Sequence, residues 1–500
     1  MASIAKTRSN PITPAGARWD FRVPFYFAVA SAAVALVVGD WIVAPAVFVL
    51  YLAWAYLPRG DTPPILALAF THQWVQVMCG IFYHGITGRP LPAYEVDSYR
   101  TMVLIGLGAV VALFTGTWIG DTFLKKRIPW TLSSADRMLP LRGLIVAYVV
   151  ATATQGTLFR FAWTVSGLTE GLLVLTFLRL GIVYLLLRRL VRPRMRWLPF
   201  TVLLGVEIIL GFTGYFADFR EVEVIAVLAV LETVRQFRFR QVVLLGVLGL
   251  LMVASALVWT SIKGEMRARW NTEAGFSESR TKRLESLAYL SADEVFDPEK
   301  ITVNMDTMVE RLWAIYYPSY ALLRVPSTVP FENGAILKQA VRHVLMPRLF
   351  FPEKPNPPSD SEMVRKYSGV WVRGAESGTS IAFGYAIESY IDFGPVFMFL
   401  PPLIFGVLMG FAYRLLLVSM VNKEMAIAAC SVSFWIALYL YERSWLHMLG
   451  LSGTILIYVG SFSMIVDRIV AAARVESRPL LIRSAVQSAT PLPGSRRGPV

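Results

Sequence analysis

Charge is what this 500-residue chain has least of: only 16% of its residues are charged, against 55% hydrophobic and 13% aromatic. A soluble domain carries about a quarter charged residues. Together with a mean hydropathy of +0.54, the shortage excludes a soluble enzyme with a single anchor. Cysteine is nearly absent, and the two present, Cys79 and Cys430, both sit in apolar runs. That excludes a disulfide framework and a thiol-based metal site. The four histidines, His72, His84, His343 and His447, have no pair at i and i+4, so no metal site is expected. A phosphate-binding loop of the Gly-Lys-Ser/Thr type and a dinucleotide fingerprint are missing as well, and no cofactor is expected.

What is present is a series of long apolar runs, near 23–39, 41–57, 63–83, 101–120, 143–159, 165–187, 197–216, 222–234, 240–261, 394–418, 424–441 and 449–470. Runs near twenty residues suit spanning helices and not the alternating segments of about ten that build an outer-membrane barrel. The expected fold is an all-α polytopic integral membrane protein of about 12 transmembrane helices with one large outer loop. The eighth run is the weakest, being short and entered by Glu221 and Glu223.

Net charge is +14, but the basic residues are scattered between the runs, so topology explains them and no nucleic-acid partner is implied. Alternate loops collect roughly two dozen Lys and Arg, while the short loops of opposite parity hold Arg89, Arg100, Arg160, Arg220 and Arg443. This asymmetry predicts that both termini lie in the cytoplasm. It also predicts that the first run is a span and not a cleaved signal, whose removal would invert every later loop. The chain then divides into a cytoplasmic tail over 1–22, a membrane domain over 23–261, a large outer loop over 262–393, a membrane domain over 394–470 and a disordered basic tail over 471–500.

Function is expected in the outer loop. Amphipathic helices are predicted over 277–291, 303–324 and 335–346, followed by a Pro-rich connector over 347–358. The stretch from Arg342 to Pro355 interleaves Arg342, Arg348 and Lys354 with aromatic and proline residues. Guanidinium forks on a stiffened backbone match phosphate oxygens; a basic loop against anionic lipid is the plainer reading. Arg220 sits in a short outer loop where Arg is disfavoured, facing a ligand or else a local ion pair with Asp218, Glu221 or Glu223. Glu388, in an aromatic stretch leading into the tenth span, is either a general base raised by burial or the partner of a buried Arg, with Asp392 one turn on as the second choice. Tyr441, Glu442 and Arg443, with Trp445 and His447, read as an outer aromatic belt.

Three stretches then carry a likeness: Phe331-Glu332-Asn333-Gly334 with Met346-Pro347-Arg348 through Lys354-Pro355; Thr379-Ser380; and Gly384 through Glu388, Tyr390 and Phe393-Gly394. They resemble the Wzy-type O-antigen and exopolysaccharide repeat-unit polymerases, in which a Pro-Arg and Pro-x-Lys-Pro close the large loop. The match covers about sixty residues, and the twelve-span layout extends it across the chain. The resemblance implies transfer of a growing glycan from undecaprenyl pyrophosphate to an incoming lipid-linked repeat unit, at the periplasmic face of a bacterial inner membrane. It implies Glu388, Arg348 and Arg220 as catalytic residues, and Arg342, Lys354, Arg311, Arg365, Arg373 and Tyr390 as substrate-binding residues. Partners would be undecaprenyl-pyrophosphate-linked oligosaccharides, membrane lipids, a chain-length regulator and a flippase. The family's outer-loop Arg lies near Gly, whereas here Gly214 is six residues upstream of Arg220, which leaves that residue's role open. An O-antigen-ligase-like transferase shares the pyrophosphate chemistry; a flippase would show internal repeats and cations within spans, and neither is expected here.

Overall fold

A computed structural model describes residues 22–57, 62–130, 139–164, 168–191, 195–212, 219–232, 239–270, 298–348, 350–351, 353–374, 376 and 379–488, with the single positions 285 and 289. Among them every regular element is helical. The membrane domain contributes α1 (Arg22–Val38), α2 (Val43–Tyr56), α3 (Ile65–Thr87), α4 (Tyr99–Arg127), α5 (Leu141–Thr164), α6 (Thr169–Leu175), α7 (Leu178–Val191), α8 (Trp197–Phe212), α9 (Phe219–Leu231) and α10 (Phe239–Trp270). The polar segment contributes α11 (Pro298–Leu312), α12 (Tyr316–Arg324), α13 (Ala335–Leu345), α14 (Asp360–Ser368) and α15 (Tyr385–Phe397). The chain closes with α16 (Leu400–Ser419), α17 (Lys423–Leu438) and α18 (Trp445–Ser488).

Seven helices among the described residues are long and apolar enough to cross a membrane, and three shorter ones, Phe25–Val38, Val43–Tyr56 and Trp197–Phe212, are apolar in composition. This is the architecture of a helical membrane protein. The two other predicted runs fall on α9 and α17, of 13 and 16 residues. At 1.5 Å per residue they reach about 20 and 24 Å, less than a hydrocarbon core of about 30 Å. The spans on α5 and α10 are only 6% and 17% buried, which suits helices that face acyl chains.

The centre is a pair of helices packed backbone to backbone. Gly116 and Gly120 of α4 meet Gly406 and Gly410 of α16, and a Cβ on any of the four would run into a carbonyl oxygen of the other helix: Leu403, Val407, Leu113 and Thr117 respectively. Small residues four apart are what let two helices approach this closely in an apolar medium. Because Leu113 faces Gly406 and Thr117 faces Gly410, α4 and α16 run parallel. Phe405 packs on Trp445 and Leu416 lies against Gly460, so α18 runs parallel to both.

Toward the end where α4 stops, buried acids each meet a guanidinium. Arg414 grips Asp121 at 2.5–2.8 Å, and Arg188 bridges Glu232 at 2.8 Å and Glu424 at 2.7 Å. Deeper in, Arg179 holds Glu207 at 2.6 Å.

At the opposite end the loop between α17 and α18 is sunk below the rim. His72 Nδ1 is 2.8 Å from the Tyr439 carbonyl, and Gln76 Oε1 accepts from the Tyr441 N–H at 2.8 Å. From Gln76, α3 continues to Thr87, a rise of about 16 Å. Over this recess α11 and α12 are pinned. Trp313 donates to the Val77 carbonyl at 2.8 Å and Ser98 donates to the Ser319 carbonyl at 2.7 Å.

Four expectations change. The span predicted over 394–418 begins at Leu400, because Gly394 takes φ 66° and ψ −175° and, with Pro395, breaks the backbone between α15 and α16. The helix predicted over 303–324 is two helices, divided at residues 313–315 ahead of Pro318. The last helix does not stop at Val470 but continues to Ser488. The helix predicted over 277–291 lies outside the described residues, apart from 285 and 289.

Candidate functional site

The floor of the recess is built on α15. Gly384 starts it at φ 94°, with its Cα so close to the Tyr441 carbonyl that a Cβ would sit 2.8 Å from that oxygen; only glycine fits there without strain. The next residue, Tyr385, donates to Gln73 Oε1 at 2.8 Å, and one turn later Ser389 Oγ accepts from the Trp445 indole at 2.9 Å. These contacts fix α15 against α3 and the start of α18.

Glu388 and Asp392 follow one another at i and i+4, and each caps a different helix. Glu388, 3% exposed, accepts the Trp445 backbone N–H at 2.7 Å, at the first turn of α18. Asp392, 1% exposed, accepts the N–H groups of Ile336 and Leu337 at 3.0 and 2.8 Å, at the first turn of α13. Orphan N–H groups at a helix start are satisfied in this way, and the helix dipole favours a carboxylate there. Burial pushes the Glu388 carboxyl up to about 8, against the pull of the Trp445 N–H, with the charges of Asp360 and Asp392 adding to the rise. Glu388 therefore has no Arg partner among the described residues; the ion-pair reading is replaced by a cap. Asp392 engages both oxygens on α13 and is itself 1% exposed, so its carboxylate serves the helix start.

Beside Glu388 lies a pair whose two members are far apart in the chain and linked by no spacing rule. Ser359 and Glu362 form a reciprocal capping box that starts α14, which puts Asp360 at its first position. Asp360 Oδ2 is 3.2 Å from His447 Nδ1 and accepts from Ser380 Oγ at 3.3 Å; Ser444 Oγ is 2.9 Å from the same ring nitrogen. Burial alone would raise the Asp360 carboxyl, but the bonds from His447, Ser444 and Ser380 hold it below the ordinary range. An ionised carboxylate only accepts, so Nδ1 carries the hydrogen and the lone pair of a neutral ring lies on Nε2. The His447 side chain is 58% exposed while Asp360 is 9% exposed, so the ring is accessible and its carboxylate partner is sheltered.

Cations flank this pair on two sides. On one, Lys354 donates to the His343 carbonyl at 2.9 Å and Arg348 to Asn356. Burial and the adjacent Arg348 hold the Lys354 ammonium below its usual range, so positive charge is concentrated there. Glu170, at the start of α6, acts electrostatically on Lys354, His343 and His447 alike. On the other side, Arg443 donates to the Ile436 and Ala437 carbonyls at 2.5 and 3.1 Å, closing the C-terminus of α17, and lies over the Tyr439 ring at 5.0 Å. Burial raises the Glu442 carboxyl, and the charges of Arg220, Arg443 and Lys263 oppose that rise.

Of the residues singled out in the sequence, Glu388 lies within electrostatic reach of Asp360, Arg348 acts on Lys354, and Arg220 acts on Glu442; the others are engaged or exposed elsewhere. Arg365 is tied to Glu376 and, at 2.8 Å, to the Val372 carbonyl. Arg373 and Arg311 are exposed on their own segments, and Arg342 points outward from α13. Tyr390 is a buried anchor, its hydroxyl donating to the Val325 carbonyl at 3.0 Å and its ring on Phe331. The Phe331-Glu332-Asn333-Gly334 stretch is a brace: Glu332 accepts from Lys366 and Tyr367 at 2.7 Å, while Asn333 and Gly334 take positive φ to start α13 over Asp392. The expected aromatic belt is no belt, since Tyr441 is 0% and Trp445 is 1% exposed, both packed into the floor.

Among the described residues, fold and site define a helical membrane protein with buried polar groups gathered at one end, on α15 and the loop from α17 to α18. Residues 128–414, more than half of the chain, match the family described as Domain of unknown function (DUF8712), and the chain belongs to that family. The match includes Glu388, Asp360 and the basic loop, and stops before His447. No curated protein and no solved structure matches.

Proposed function

We propose that this protein is a membrane glycosyltransferase that joins undecaprenyl-pyrophosphate-linked oligosaccharide repeat units into a polysaccharide at the periplasmic face of the bacterial inner membrane. The carrying observation is the set of charges at this end: Arg443 and Glu170 act on the His447 imidazole that is paired with Asp360, the same Glu170 acts on Lys354 beside Arg348, and Arg220 and Arg443 act on Glu442. In such a reaction the pyrophosphate already stores the reactivity. The protein has to hold two lipid-linked sugars in attack geometry and stabilise the charge that gathers on the leaving group. Arg and Lys supply that charge, Arg with a fork that matches phosphate oxygens.

In this reading the twelve apolar runs cross the membrane, both termini are cytoplasmic and 262–393 is periplasmic. The scarcity of Lys and Arg in the short loops on the recess side supports it. Reporter fusions at Ser133 and Ser277 then give cytoplasmic and periplasmic signals respectively; signals on one side for both would reject the topology.

For the reaction, the purified full-length protein is placed in lipid nanodiscs with the lipid-linked repeat unit extracted from cells lacking it. A ladder of chain lengths is expected, whereas a single transfer product would favour the ligase-like alternative. Arg348→Lys keeps the charge but loses the bidentate fork, and the ladder should weaken by at least about tenfold. An unchanged ladder from Arg348→Ala would remove Arg348 from pyrophosphate binding.

A further inference from the structure

We infer that His447, oriented by Asp360, takes the proton from the acceptor hydroxyl, and that Glu388 is a positioning residue. The inference rests on the glycosyl-transfer reading above and names the group that moves its proton. A base has to reach the hydroxyl it deprotonates. Glu388 is 3% exposed and one of its oxygens is committed to the Trp445 N–H. His447 stands two residues into the helix that Glu388 caps, with a 58% exposed side chain and Nδ1 fixed on Asp360 Oδ2 at 3.2 Å. Ser380 and Ser444 hold the pair, at 3.3 Å from the carboxylate and 2.9 Å from the ring. A carboxylate on Nδ1 sets the tautomer and steadies the imidazolium that forms when Nε2 accepts a proton.

The step balances without a further reactant. The acceptor oxygen attacks the anomeric carbon of the donor sugar, the bond from that carbon to the pyrophosphate oxygen breaks, and its electron pair leaves with undecaprenyl pyrophosphate. The hydroxyl proton passes to His447 Nε2 and from there to solvent. The charged groups that face the imidazole are Asp360 from α14, Arg443 from the loop before α18 and Glu170 from α6. Glu388 acts at one remove: by holding the first turn of α18 it fixes where the His447 ring stands.

The test uses the full-length protein in nanodiscs and the extracted lipid-linked repeat unit, with initial rates across roughly pH 5 to 9 and a melting temperature for each variant. His447→Gln should lower the rate about a hundredfold to ten-thousandfold with an unchanged melting temperature. Asp360→Asn should lose part of the rate and move the acidic limb of the profile to lower pH, since the imidazolium loses its counter-charge. Glu388→Gln keeps an acceptor for the Trp445 N–H and should leave the profile in place, while Glu388→Ala lowers the melting temperature. His447→Gln protein that polymerises at the wild-type rate would overturn the inference, as would an acidic limb unmoved by Asp360→Asn. A wild-type protein that joins no repeat units would instead take down the transfer reading, and this inference with it.

Discussion

The two ends of the molecule handle buried acids in opposite ways. At the end where α4 stops, Asp121, Glu232 and Glu424 each meet a guanidinium, Arg414 or Arg188. Around the recess, Glu388 and Asp392 meet backbone N–H groups and Asp360 meets an imidazole. An acid matched to an Arg is neutralised within the fold, and removing one partner strands the other. An acid matched to helix N–H groups is satisfied without using a cation, so, among the described residues, Lys354, Arg348 and Arg443 bond to carbonyl oxygens and are not neutralised by a carboxylate. The first end is a clamp and the second is a workplace.

The comparison can be broken by showing that the clamp is dispensable. The largest effect is expected from Gly406→Val, whose side chain would be driven into the Leu113 carbonyl on α4. Folded protein should be lost, seen as absence of a monodisperse peak on size exclusion; a normal peak would mean that the glycine contact between α4 and α16 is not what holds the two regions together. Next, Arg414→Ala strands Asp121 in a site where Arg414 is 1% exposed, and should cost about 3–5 kcal/mol, read from thermal unfolding in nanodiscs.

Smaller effects are expected from the recess. Asp392→Ala removes the cap on α13 and should cost about 1–2 kcal/mol, with protease sensitivity rising at residues 335–345 first. The Glu388 carboxyl sharpens the contrast through pH. Its value in the fold is pushed up by burial from 4.5 to about 8, so the unfolded chain releases the proton before the folded one does. Stability is then full below about 4.5 and falls as pH rises through about 8. Glu388→Gln should flatten that slope in melting curves, whereas a slope identical to the wild type would place the titrating group elsewhere.

Much of the membrane domain was legible because lipid demands long apolar runs, and those runs coincide with α1 through α5, α8, α10, α16 and α18 to within a few residues at most ends. The division between α6 and α7 was not, since the side chains stay apolar across it. It shows only in the backbone, where Thr176 Oγ1 turns back to the Leu173 carbonyl at 2.6 Å. Pro318 was a usable sign, for proline suits the first turn of a helix and so announces α12. In the candidate site, Glu388, Arg348 and Lys354 stood out as charges in aromatic or Pro-rich settings. His447 did not, because what distinguishes it is a carboxylate from a distant helix, and no spacing rule connects Asp360 to it. Tyr390 and Asp392 were misjudged for the complementary reason: a polar group in an apolar stretch looks available until its hydrogen-bond partners are known.

The parallel course of α4, α16 and α18 has an electrical result. All three begin at the recessed end, at Tyr99, Leu400 and Trp445, and the peptide dipoles of a helix sum to roughly half a positive charge at its start. Between α16 and α18, α17 runs the opposite way and ends at this side, where Arg443 covers its last carbonyls, so part of the positive potential of the three starts is cancelled and the remainder stands at the floor. It does not titrate, and no side-chain substitution removes it. A chain stripped of Arg220, Arg348 and Arg443 would still draw anions toward its floor, only more weakly.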